Sequence, residues 1–354
     1  MNEHKGVGSA VQNSPTPLYC WLQNLRAHFL NPKMNDMKAL VSKLPKRPEF
    51  GVFVAFIFVF IGFSFTAQRF LSFDSIAGII TVAAELGIVT AGITFLMIAG
   101  EFDLSVGSVL GMSGMIFAIT ATAGLPHIVG LLLSLGAAAV IGLLNGVVVV
   151  RTGVPSFIIT LGSMMLWRGV ILAVTGGFPV RYWGDSALLF ALNGRFAEQL
   201  RMSSFWFLGV VVILAFILTR TRYGNWVFAT GGGPEAARTL GIRINRVKIT
   251  NFVVSAMLAG LAGCIQFARF HSVDPTRGQG LELEAIAAAV IGGTLMTGGY
   301  GSMIGAMLGA LLVGMVRSGL VMAGAPSYWY QAFIGIVLIV ASVVNIRLKR
   351  WALR

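Results

Sequence analysis

The chain has 354 residues, of which 56% are hydrophobic and only 11% charged, and its mean hydropathy is +0.83. A soluble domain carries about 25% charged residues, so this composition excludes a water-soluble globular protein and indicates a polytopic membrane protein in a lipid bilayer. The formal charge of +13 does not indicate a nucleic-acid partner, because the basic residues lie between apolar segments, as at the cytoplasmic ends of membrane-spanning helices.

The first 49 residues are polar and basic and contain five prolines. They lack the apolar core and the cleavage site of a secretory signal. We interpret residues 1–49 as a poorly ordered cytoplasmic tail, with one stretch at 18–30 that lies on a surface. The sequence does not determine whether residues 1–36 are translated, because Met34 and Met37 are alternative starts.

Ten apolar segments follow, each close to the roughly 20 residues that a spanning helix needs. They lie at 50–67, 76–98, 104–123, 127–150, 154–175, 205–220, 250–270, 283–297, 301–322 and 328–346. Short or glycine-interrupted segments, here 205–220 and 283–297, are typical of helices that line a transport path. The predicted fold is therefore all-α and polytopic, with about ten transmembrane helices in a domain at 50–346 and a basic tail at 347–354.

Lys and Arg residues are unequally distributed over the connections between these segments. The N-terminal tail, the position Arg151, the 220–248 connection and the C-terminal tail contain seven, one, six and four of them, 18 in all. The alternate connections contain six, and Arg168 and Arg317 fall inside apolar segments. Because basic residues favour the cytoplasmic side, both termini are predicted to be cytoplasmic, in agreement with an even number of spans.

No group of residues indicates catalysis or metal binding. Cys20 and Cys264 lie far apart, and the four histidines are scattered. The sequence contains no Gly-Lys dipeptide and therefore no P-loop for the phosphates of a nucleotide. We predict that the chain is not an enzyme, has no catalytic residues, holds no metal and binds no cofactor itself.

The largest connection on the predicted cytoplasmic side, residues 219–250, contains the sequence GGGPEAARTLGI at 231–242. PEAARTLGI predicts a short helix, with Pro234 in the first turn, Glu235 at the positive end of the helix dipole and Gly241 at the stop. A two-turn helix is not stable alone in water. The segment is therefore predicted to dock onto a partner, with a basic loop on lipid headgroups as the alternative.

This segment resembles the cytoplasmic coupling loop of ABC-transporter permeases, which sits in a groove of the ATPase subunit. GEFDLSVGSVLGMSG (100–114), VPSFIITLGSMMLWRG (154–169) and ELEAIAAAVIGGTLMTGGYGSMIGAMLGALL (282–312) are similar to stretches of the monosaccharide permeases, the ribose, galactose and xylose type. The resemblance covers residues 50–346. Two positions depart from the family pattern: Glu101 in GEFDLS replaces a Gly of Gly-Gly-Ile-Asp-Leu-Ser, and Gly233 replaces an Asn that often precedes Pro-Glu.

The resemblance implies the permease subunit of a bacterial ABC importer in the cytoplasmic (inner) membrane, which moves a ribose-like or other simple sugar by ATP-driven alternating access. The implied partners are an ABC ATPase subunit that binds ATP and Mg, a periplasmic or extracellular sugar-binding protein, and a second permease copy in a homodimer. The implied ATPase-coupling residues are Gly232, Gly233, Pro234, Glu235, Ala236, Ala237, Arg238 and Gly241. The alternatives are a related permease for branched-chain amino acids or nucleosides, and a stand-alone secondary transporter without an ATPase.

An internal match supports a repeat within the membrane domain. EFDLSVGSVLGMSG and ELEAIAAAVIGGTL align at a constant offset of 181 residues, which is 282 minus 101. The matched pairs are Glu101 with Glu282, Asp103 with Glu284 and Gly111 with Gly292. The match predicts an inverted repeat, in which the first acidic pair opens a helix at the cytoplasmic face and the second opens one at the external face; chance similarity is the alternative. We interpret Asp103 and Glu284 as helix caps, with contact to sugar hydroxyls as the sharper alternative.

Polar side chains inside apolar segments are candidates for a transport path or gate. The predicted residues are Asp103, Ser105, Asn145, Thr160, Gln266, Glu282 and Glu284. Hydrogen bonding between helices is the structural alternative for Asn145 and Gln266. Glu85 is a further candidate because it lies inside an apolar segment, and its conceivable ion-pair partners are Arg168 and Arg317.

Two glycine pairs are spaced four residues apart within predicted helices, Gly142 with Gly146 and Gly305 with Gly309. Small residues at this spacing share one helix face and allow a close approach of a neighbouring helix in lipid. We predict that both pairs serve helix packing rather than chemistry.

Overall fold

The computed structural model describes residues 48–196, 199–326 and 328–352. The predicted tail up to residue 47, including the surface stretch at 18–30, lies outside the described residues. The described part is built from thirteen α-helices and four two-residue strands. The all-α fold class predicted from the sequence is confirmed.

The helices follow one another along almost the whole described chain. They are α1 (Pro48–Thr66), α2 (Phe73–Ile98), α3 (Val106–Thr122), α4 (His127–Thr152), α5 (Ser156–Thr175), α6 (Ala187–Asn193), α7 (Met202–Arg220), α8 (Arg222–Gly232), α9 (Pro234–Thr239), α10 (Ile244–Phe270), α11 (Leu281–Ile291), α12 (Met303–Met322) and α13 (Tyr328–Ala352). The strands are β1 (Val180–Arg181), β2 (Arg195–Phe196), β3 (Leu200–Arg201) and β4 (Ser272–Val273).

Six of these helices, α2, α4, α5, α7, α10 and α12, have the length and composition to cross a membrane. The apolar helices at Gly51–Thr66 in α1 and at α3 are shorter. Large apolar side chains on the outer helices are exposed, among them Leu132, Met165 and Phe216, which is the surface that a protein presents to lipid rather than to water. A polytopic membrane protein is therefore confirmed, while the number of ten spans stays a prediction.

Helix boundaries differ from the prediction where glycine or charge interrupts an apolar run. The segment predicted at 283–297 is helical only to Ile291, because the backbone turns at Gly293, whose φ is +88°. In contrast, α10 begins at Ile244, six residues before the predicted segment, and α13 continues through residues 347–352, which were predicted as part of a tail. The added turns contain Lys and Arg residues, which lower the hydropathy of a window at the end of a helix, so apolar windows do not detect them.

Helices α2 and α10 form the centre of the bundle. Residues 83–98 of α2 are buried without interruption, and α2 packs against α7, α10, α11 and α12. Helix α10 also packs against α3 and α4. Side chains on these two helices are therefore positioned by neighbours on several sides, and polar groups on them lie inside the protein.

Both predicted glycine pairs lie at close helix contacts. A Cβ atom on Gly142 of α4 would lie 2.6 Å from the carbonyl oxygen of Phe252 in α10, and one on Gly146 would lie 3.0 Å from a Cα atom of the same helix. Cβ atoms on Gly305 and Gly309 of α12 would collide with carbonyl oxygens of Gly292 and Ala288 at α11. The absence of a side chain thus sets the distance between α4 and α10 and between α12 and α11.

The segment between α10 and α11 enters the bundle beside α3. After β4 pairs antiparallel with β1, residues 274–280 follow α3 toward its first turn, where a Cβ on Gly107 would collide with the carbonyl oxygen of Gly278. Arg168 of α5 holds this segment through Nη1, which donates hydrogen bonds of 2.8 Å to the carbonyl oxygens of Pro275 and Arg277. Helix α11 has 11 residues, about 16 Å at 1.5 Å per residue, roughly half of a ~30 Å bilayer core.

Candidate coupling surface and polar cavity

The predicted short helix after the triple glycine is present as α9. Pro234 occupies its first turn, Glu235 follows, and the chain leaves the helix at Gly241 with φ +80°. The Gly241 N–H donates to the carbonyl oxygen of Arg238 at 3.0 Å, which satisfies one of the free carbonyls at the helix end. Gly233 is the N-cap residue and makes no side-chain capping bond, because glycine has no side-chain acceptor for the free N–H groups of the first turn.

One side of helix α9 is buried against the rest of the protein, and the other side is exposed. Ala237 is only 2% exposed, whereas the side chains of Glu235 and Arg238 are 87% and 65% exposed and lie 3.7 Å apart. Leu240 is 80% exposed, although it is apolar. We call residues 231–241 the coupling surface. All eight predicted coupling residues belong to it, and all except Ala237 and the half-buried Gly233 are exposed.

The charge around the coupling surface is predominantly basic. The exposed basic residues on this part of the chain are Arg220, Arg222, Arg238, Arg243 and Arg246. Glu235 is the acidic residue of residues 219–250. An exposed surface with this balance attracts an acidic protein surface or anionic headgroups.

Glycines from three separate segments meet directly beneath the coupling surface. A Cβ on Gly231 would collide with the Ile98 carbonyl oxygen at the end of α2 and would lie 2.6 Å from the Gly299 nitrogen. The Gly299 N–H donates to the same Ile98 oxygen at 2.8 Å. A Cβ on Gly298 would lie 2.8 Å from the Cα of Gly100. We call this contact of Gly100, Gly231, Gly298 and Gly299 the glycine junction, since the three backbones touch without intervening side chains.

Glu101 forms an ion pair with Lys248 of α10 next to this junction, between its Oε1 atom and the Lys248 Nζ atom. The two side chains are only 10% and 25% exposed. The residue that departs from the family pattern therefore ties the segment before α3 to the first turns of α10.

Asp103, Ser105 and Asn145 form one buried network. The Ser105 N–H and hydroxyl donate to Asp103 Oδ1 at 2.9 and 2.6 Å, and Asn145 Nδ2 donates to the Ser105 hydroxyl at 2.9 Å. Asp103 thus closes a turn before α3, whose N-cap Ser105 makes no capping bond. The predicted role of Asp103 as a helix cap is wrong, because the helix begins three residues later than the carboxylate.

Thr160 holds the same turn from α5. Its hydroxyl oxygen accepts a 3.0 Å hydrogen bond from the Leu104 N–H, and the neighbouring Ser156 hydroxyl accepts one from the Phe102 N–H, also at 3.0 Å. Four of the seven predicted pathway residues therefore lie together in a buried network. These hydrogen bonds fix the backbone before α3. Asn145 therefore has the structural role, hydrogen bonding between segments of the bundle, that was the alternative to a place in the transport path.

Glu282 and Glu284 lie inside the first turn of α11, whose N-cap is Gly280. Glu282 Oε1 accepts a hydrogen bond from the Gly280 N–H at 3.1 Å, and its Oε2 atom faces Gly107 of α3. Glu284 Oε2 lies 3.6 Å from Arg317 Nη1 of α12, so Glu284 is an ion-pair partner rather than a cap. The first acidic pair precedes α3, whereas this pair lies within α11, so the two pairs do not occupy the equivalent positions that the repeat predicted.

Gln266 and Glu284 line a cavity of about 200 Å³ within the bundle. The wall is built by α2, α10, α11, α12, α13 and the segment before α11. The other polar or charged residues that line it are Glu85, Arg269, Arg277, Arg317 and Tyr330. The predicted pathway residues thus lie in three places. Asp103, Ser105, Asn145 and Thr160 belong to the buried network before α3, Gln266 and Glu284 line this cavity, and Glu282 lies between α3 and α11.

Glu85 of α2 pairs with Arg269 of α10, with 2.9 Å between Oε1 and Nη1. The predicted partners Arg168 and Arg317 are wrong: Arg168 binds backbone carbonyls, and Arg317 pairs with Glu284. Arg269 lies in the last turn of α10, at the end of the segment predicted at 250–270. The sequence did indicate that Glu85 needs a partner, since an ionisable group inside a membrane span requires a counter-charge.

The loop beside the cavity, residues 274–280, contains one further acidic residue. Asp274 lies on the exposed part of this loop, where hydrogen bonds from the Thr276 hydroxyl (2.5 Å) and N–H (2.8 Å) hold the pKa of its carboxyl below the usual value. Among the described residues, no group of three or more His, Cys, Asp or Glu is arranged to hold a metal ion. The chemistry available at the cavity is hydrogen bonding and ion pairing.

The exposed coupling surface, the glycine junction beneath it and the polar cavity lie in a bundle of long apolar helices, as in a multi-pass membrane permease. Residues 75–342 match the family described as branched-chain amino acid transport system / permease component, and the chain belongs to this family. The ribose import permease protein RbsC of Escherichia coli (strain K12) is 33% identical over 322 residues, which cover 90% of this chain and 96% of that protein.

Two further relatives broaden the comparison. The xylose/arabinose import permease protein XylH of Sulfolobus acidocaldarius is 34% identical over 315 residues, 86% of each chain. The autoinducer 2 import system permease protein LsrC of Photorhabdus luminescens is 30% identical over 301 residues, which cover 85% of this chain and 90% of that protein. The resemblance to sugar permeases is confirmed, and the protein is a non-catalytic permease component of the carbohydrate-type ABC importers.

Proposed function

We propose that this protein is the transmembrane subunit of a bacterial ABC importer that carries a monosaccharide across the cytoplasmic membrane. Two copies form a homodimer, an ABC ATPase binds at the coupling surface, and a soluble sugar-binding protein delivers the substrate on the opposite face. The chain crosses the membrane ten times, with both termini and the coupling surface in the cytoplasm. ATP and Mg are bound by the ATPase subunit.

The glycine junction is the observation that supports this function. Gly231 begins the coupling surface, and its backbone touches the end of α2 and the segment between α11 and α12. A docked ATPase that displaces α9 therefore acts on three segments without an intervening flexible side chain. A rigid contact of this kind transmits a displacement, because packed backbones are not compressible.

Two helices connect the junction with the cavity. Helix α2 ends at Ile98 in the junction and carries Glu85 at the cavity, and α11 leads to the Gly298–Gly299 contact and carries Glu284. Movement at the coupling surface thus changes the spacing of the helices that bear both acidic groups. In alternating access, ATP-driven closure of the ATPase pair shifts these helices relative to α10 and α12.

A monosaccharide is the substrate class that the relatives favour. Two relatives are named for the import of ribose and of xylose or arabinose, and a third for the import of autoinducer 2. The alternative is a branched-chain amino acid, which the family description itself names. Nucleosides belong to the same alternative, and a secondary transporter is disfavoured because it has no use for an exposed ATPase-docking segment.

Transport in cells tests the substrate class. The permease is expressed with its ATPase and binding protein in a bacterial strain that lacks pentose uptake, and accumulation of radiolabelled D-ribose, D-xylose and L-leucine is measured. We expect accumulation of a pentose, and its loss when the catalytic Walker motif of the ATPase is inactivated. Accumulation of leucine alone would assign the chain to the amino-acid branch, and accumulation that survives ATPase inactivation would contradict the importer.

A further inference from the structure

Helix α5 is attached to the rest of the described chain along one narrow side. Three of its 20 residues are buried, Ser156, Thr160 and Ile171, and the helix packs against α3 and α4. Large apolar side chains on its other sides, Phe157 and Met165 among them, are exposed. The hydrogen bonds on the buried side therefore determine how closely α5 follows its neighbours.

These hydrogen bonds join α5 to two different segments. The hydroxyl oxygens of Ser156 and Thr160 accept hydrogen bonds from the turn before α3. Arg168 Nη1 donates to the carbonyl oxygens of Pro275 and Arg277 in the loop before α11, both at 2.8 Å. Ser156 and Arg168 are 12 residues apart, about 18 Å along the helix at 1.5 Å per residue. Helix α5 thus spans the distance between a turn beside the glycine junction and the loop that leads into α11.

Arg168 is the charged residue of the apolar helix α5. A charge inside a membrane span is costly, and such a residue is a functional candidate. The carboxylates that attract Arg168 are Glu282 in α11 and Asp274 in the loop, so the guanidinium interacts with the loop and with the helix that follows it. Hydrogen bonds from a charged donor are roughly twice as strong as neutral ones, and the contact therefore resists a displacement of either element.

Gly111 of α3 allows α5 and the loop to approach each other closely. A Cβ atom on Gly111 would lie 2.8 Å from the Arg277 carbonyl oxygen, 3.3 Å from Arg168 Nη1 and 3.5 Å from the Cδ1 atom of Ile171. The donor, its acceptor and the buried side of α5 thus meet at one point on α3. Since closely packed groups transmit a displacement, α5 and the loop cannot shift independently while this contact is intact.

We propose that Arg168 is a positioning residue that makes α5 and the loop before α11 move as one unit during transport. The inference rests on the proposed import function. The turn before α3 follows Gly100 of the glycine junction, and α11 leads back to Gly298 and Gly299 of the same junction. A displacement of the coupling surface therefore reaches α11 from both ends, directly at the junction and through α5 and Arg168 at its first turn. Without Arg168, the first turn of α11 no longer follows α5, and ATP hydrolysis is uncoupled from transport.

The ratio of sugar imported to ATP hydrolysed tests this role. Permease, ATPase and binding protein are reconstituted in proteoliposomes, and uptake of radiolabelled D-ribose or D-xylose is measured together with phosphate release. We expect the ratio to fall about fivefold or more in Arg168→Met. Arg168→Lys should stay within about twofold of the wild type, because both hydrogen bonds come from one nitrogen atom and the Lys ammonium carries three donors. Arg151→Met, at an exposed position of α4, is the control and should leave the ratio unchanged.

The ratio distinguishes coupling from a contribution to stability alone. An Arg168 that only stabilises the fold would lower the amount of assembled permease and leave the ratio unchanged. An unchanged ratio in folded Arg168→Met therefore overturns the proposal. An equal loss in Arg168→Lys and Arg168→Met also overturns it, because the proposed contact needs only the donors that Lys retains.

The other end of α5 provides the same test if Arg168→Met does not fold. Thr160→Val removes the hydroxyl oxygen that accepts from the Leu104 N–H, and Thr160→Ser retains it. We expect Thr160→Val to lower the ratio in the same direction as Arg168→Met, and Thr160→Ser to keep it. A folded Thr160→Val protein with the wild-type ratio would contradict transmission through α5.

A distance measurement on the permease alone separates this inference from the proposed function. Spin labels are placed at Met165→Cys on α5 and Gln279→Cys in the loop, two exposed positions, in a Cys20→Ser background in which Cys264 is buried. The labelled permease is diluted with unlabelled permease in nanodiscs, so that pulsed electron paramagnetic resonance reports intramolecular distances.

We expect a narrow distance distribution with Arg168 or Arg168→Lys and a wider one with Arg168→Met. Equal widths in all three would overturn the positioning role. A distribution that widens as expected in a permease that imports no sugar would contradict the proposed function alone.

Discussion

Lys248 at the start of α10 pairs with Glu101 before α3, two residues that are 147 positions apart in the sequence. The pair lies beside the glycine junction, and both side chains are mostly buried. It therefore connects the central helix α10 to the segment that the buried Asp103 network fixes from the other side. A charge pair in this position stabilises the contact between α10 and the segment before α3, next to the glycine junction.

Glu101→Gln should destabilise the protein, because it leaves the Lys248 ammonium partly buried without its counter-charge. We expect the free energy of unfolding to fall by about 1–3 kcal/mol, less than for a fully buried pair, since Lys248 retains some solvent contact. The measurement is an unfolding titration in mixed detergent micelles. The control is Glu235→Gln, which breaks an exposed pair and should cost less than about 1 kcal/mol; equal effects of the two variants would contradict the prediction.

Gly231→Ala should impair transport, because a methyl group has no space between the Ile98 carbonyl and Gly299. We expect sugar uptake to fall about tenfold or more as the three backbones separate. Gly209→Ala on α7, outside the coupling surface, is the control, since nothing lies within 4 Å of its Cβ position, and uptake should stay within about twofold. Uptake normalised to membrane protein is the measurement, and wild-type uptake by Gly231→Ala would exclude the junction as a transmission element.

Gly142→Ala should weaken the packing of α4 on α10, where the new Cβ would lie 2.6 Å from the Phe252 oxygen and 2.9 Å from the Val253 Cα. The expected loss of stability is about 1–3 kcal/mol. Gly136 lies on the same helix with nothing within 4 Å of its Cβ position, so Gly136→Ala should be neutral or stabilise by up to about 1 kcal/mol. Thermal unfolding of both purified variants distinguishes the two sites, and similar transition temperatures would refute a packing role for Gly142.

Asp103→Asn should retain folding and transport, because the asparagine oxygen still accepts the two hydrogen bonds from Ser105. Asp103→Leu removes this acceptor and leaves the Ser105 groups buried without a partner, at a cost of about 1–3 kcal/mol. Membrane expression and uptake of the two variants are compared. A folded Asp103→Asn protein without transport would show that the charge itself is needed, in disagreement with the structural role described for the network.

Local signals in the sequence were sufficient for α9. Pro234 and Gly241 mark its two ends, and both act through their own backbone preferences, so no distant contact was needed. The glycine pairs were predictable for a similar reason, because a spacing of four residues places both on one helix face. The motif resemblance also identified the family, and the role of residues 231–241 in ATPase coupling stays a prediction.

Long-range contacts were not predictable from a single sequence. The partner of Glu85 is Arg269, 184 positions away, and nothing in the local sequence of either residue distinguishes it from Arg168 or Arg317. The prediction treated the seven pathway residues as one set, yet Asp103 lies in a buried turn and Glu284 at a cavity. Polarity inside an apolar segment indicates that a side chain needs a partner, but it does not reveal where that partner is.

Binding of the ATPase tests the central claim most directly. Tagged permease is co-purified with its ABC ATPase, with and without the double substitution Glu235→Ala and Arg238→Glu in α9; Arg151→Glu, an exposed arginine outside α9, is the control. We predict a stable complex for the wild type and the control, and loss of the ATPase from the folded double variant. A wild-type permease that retains no ATPase under conditions that preserve such complexes, or a double variant that binds it fully, would contradict the assignment of α9 as the coupling element.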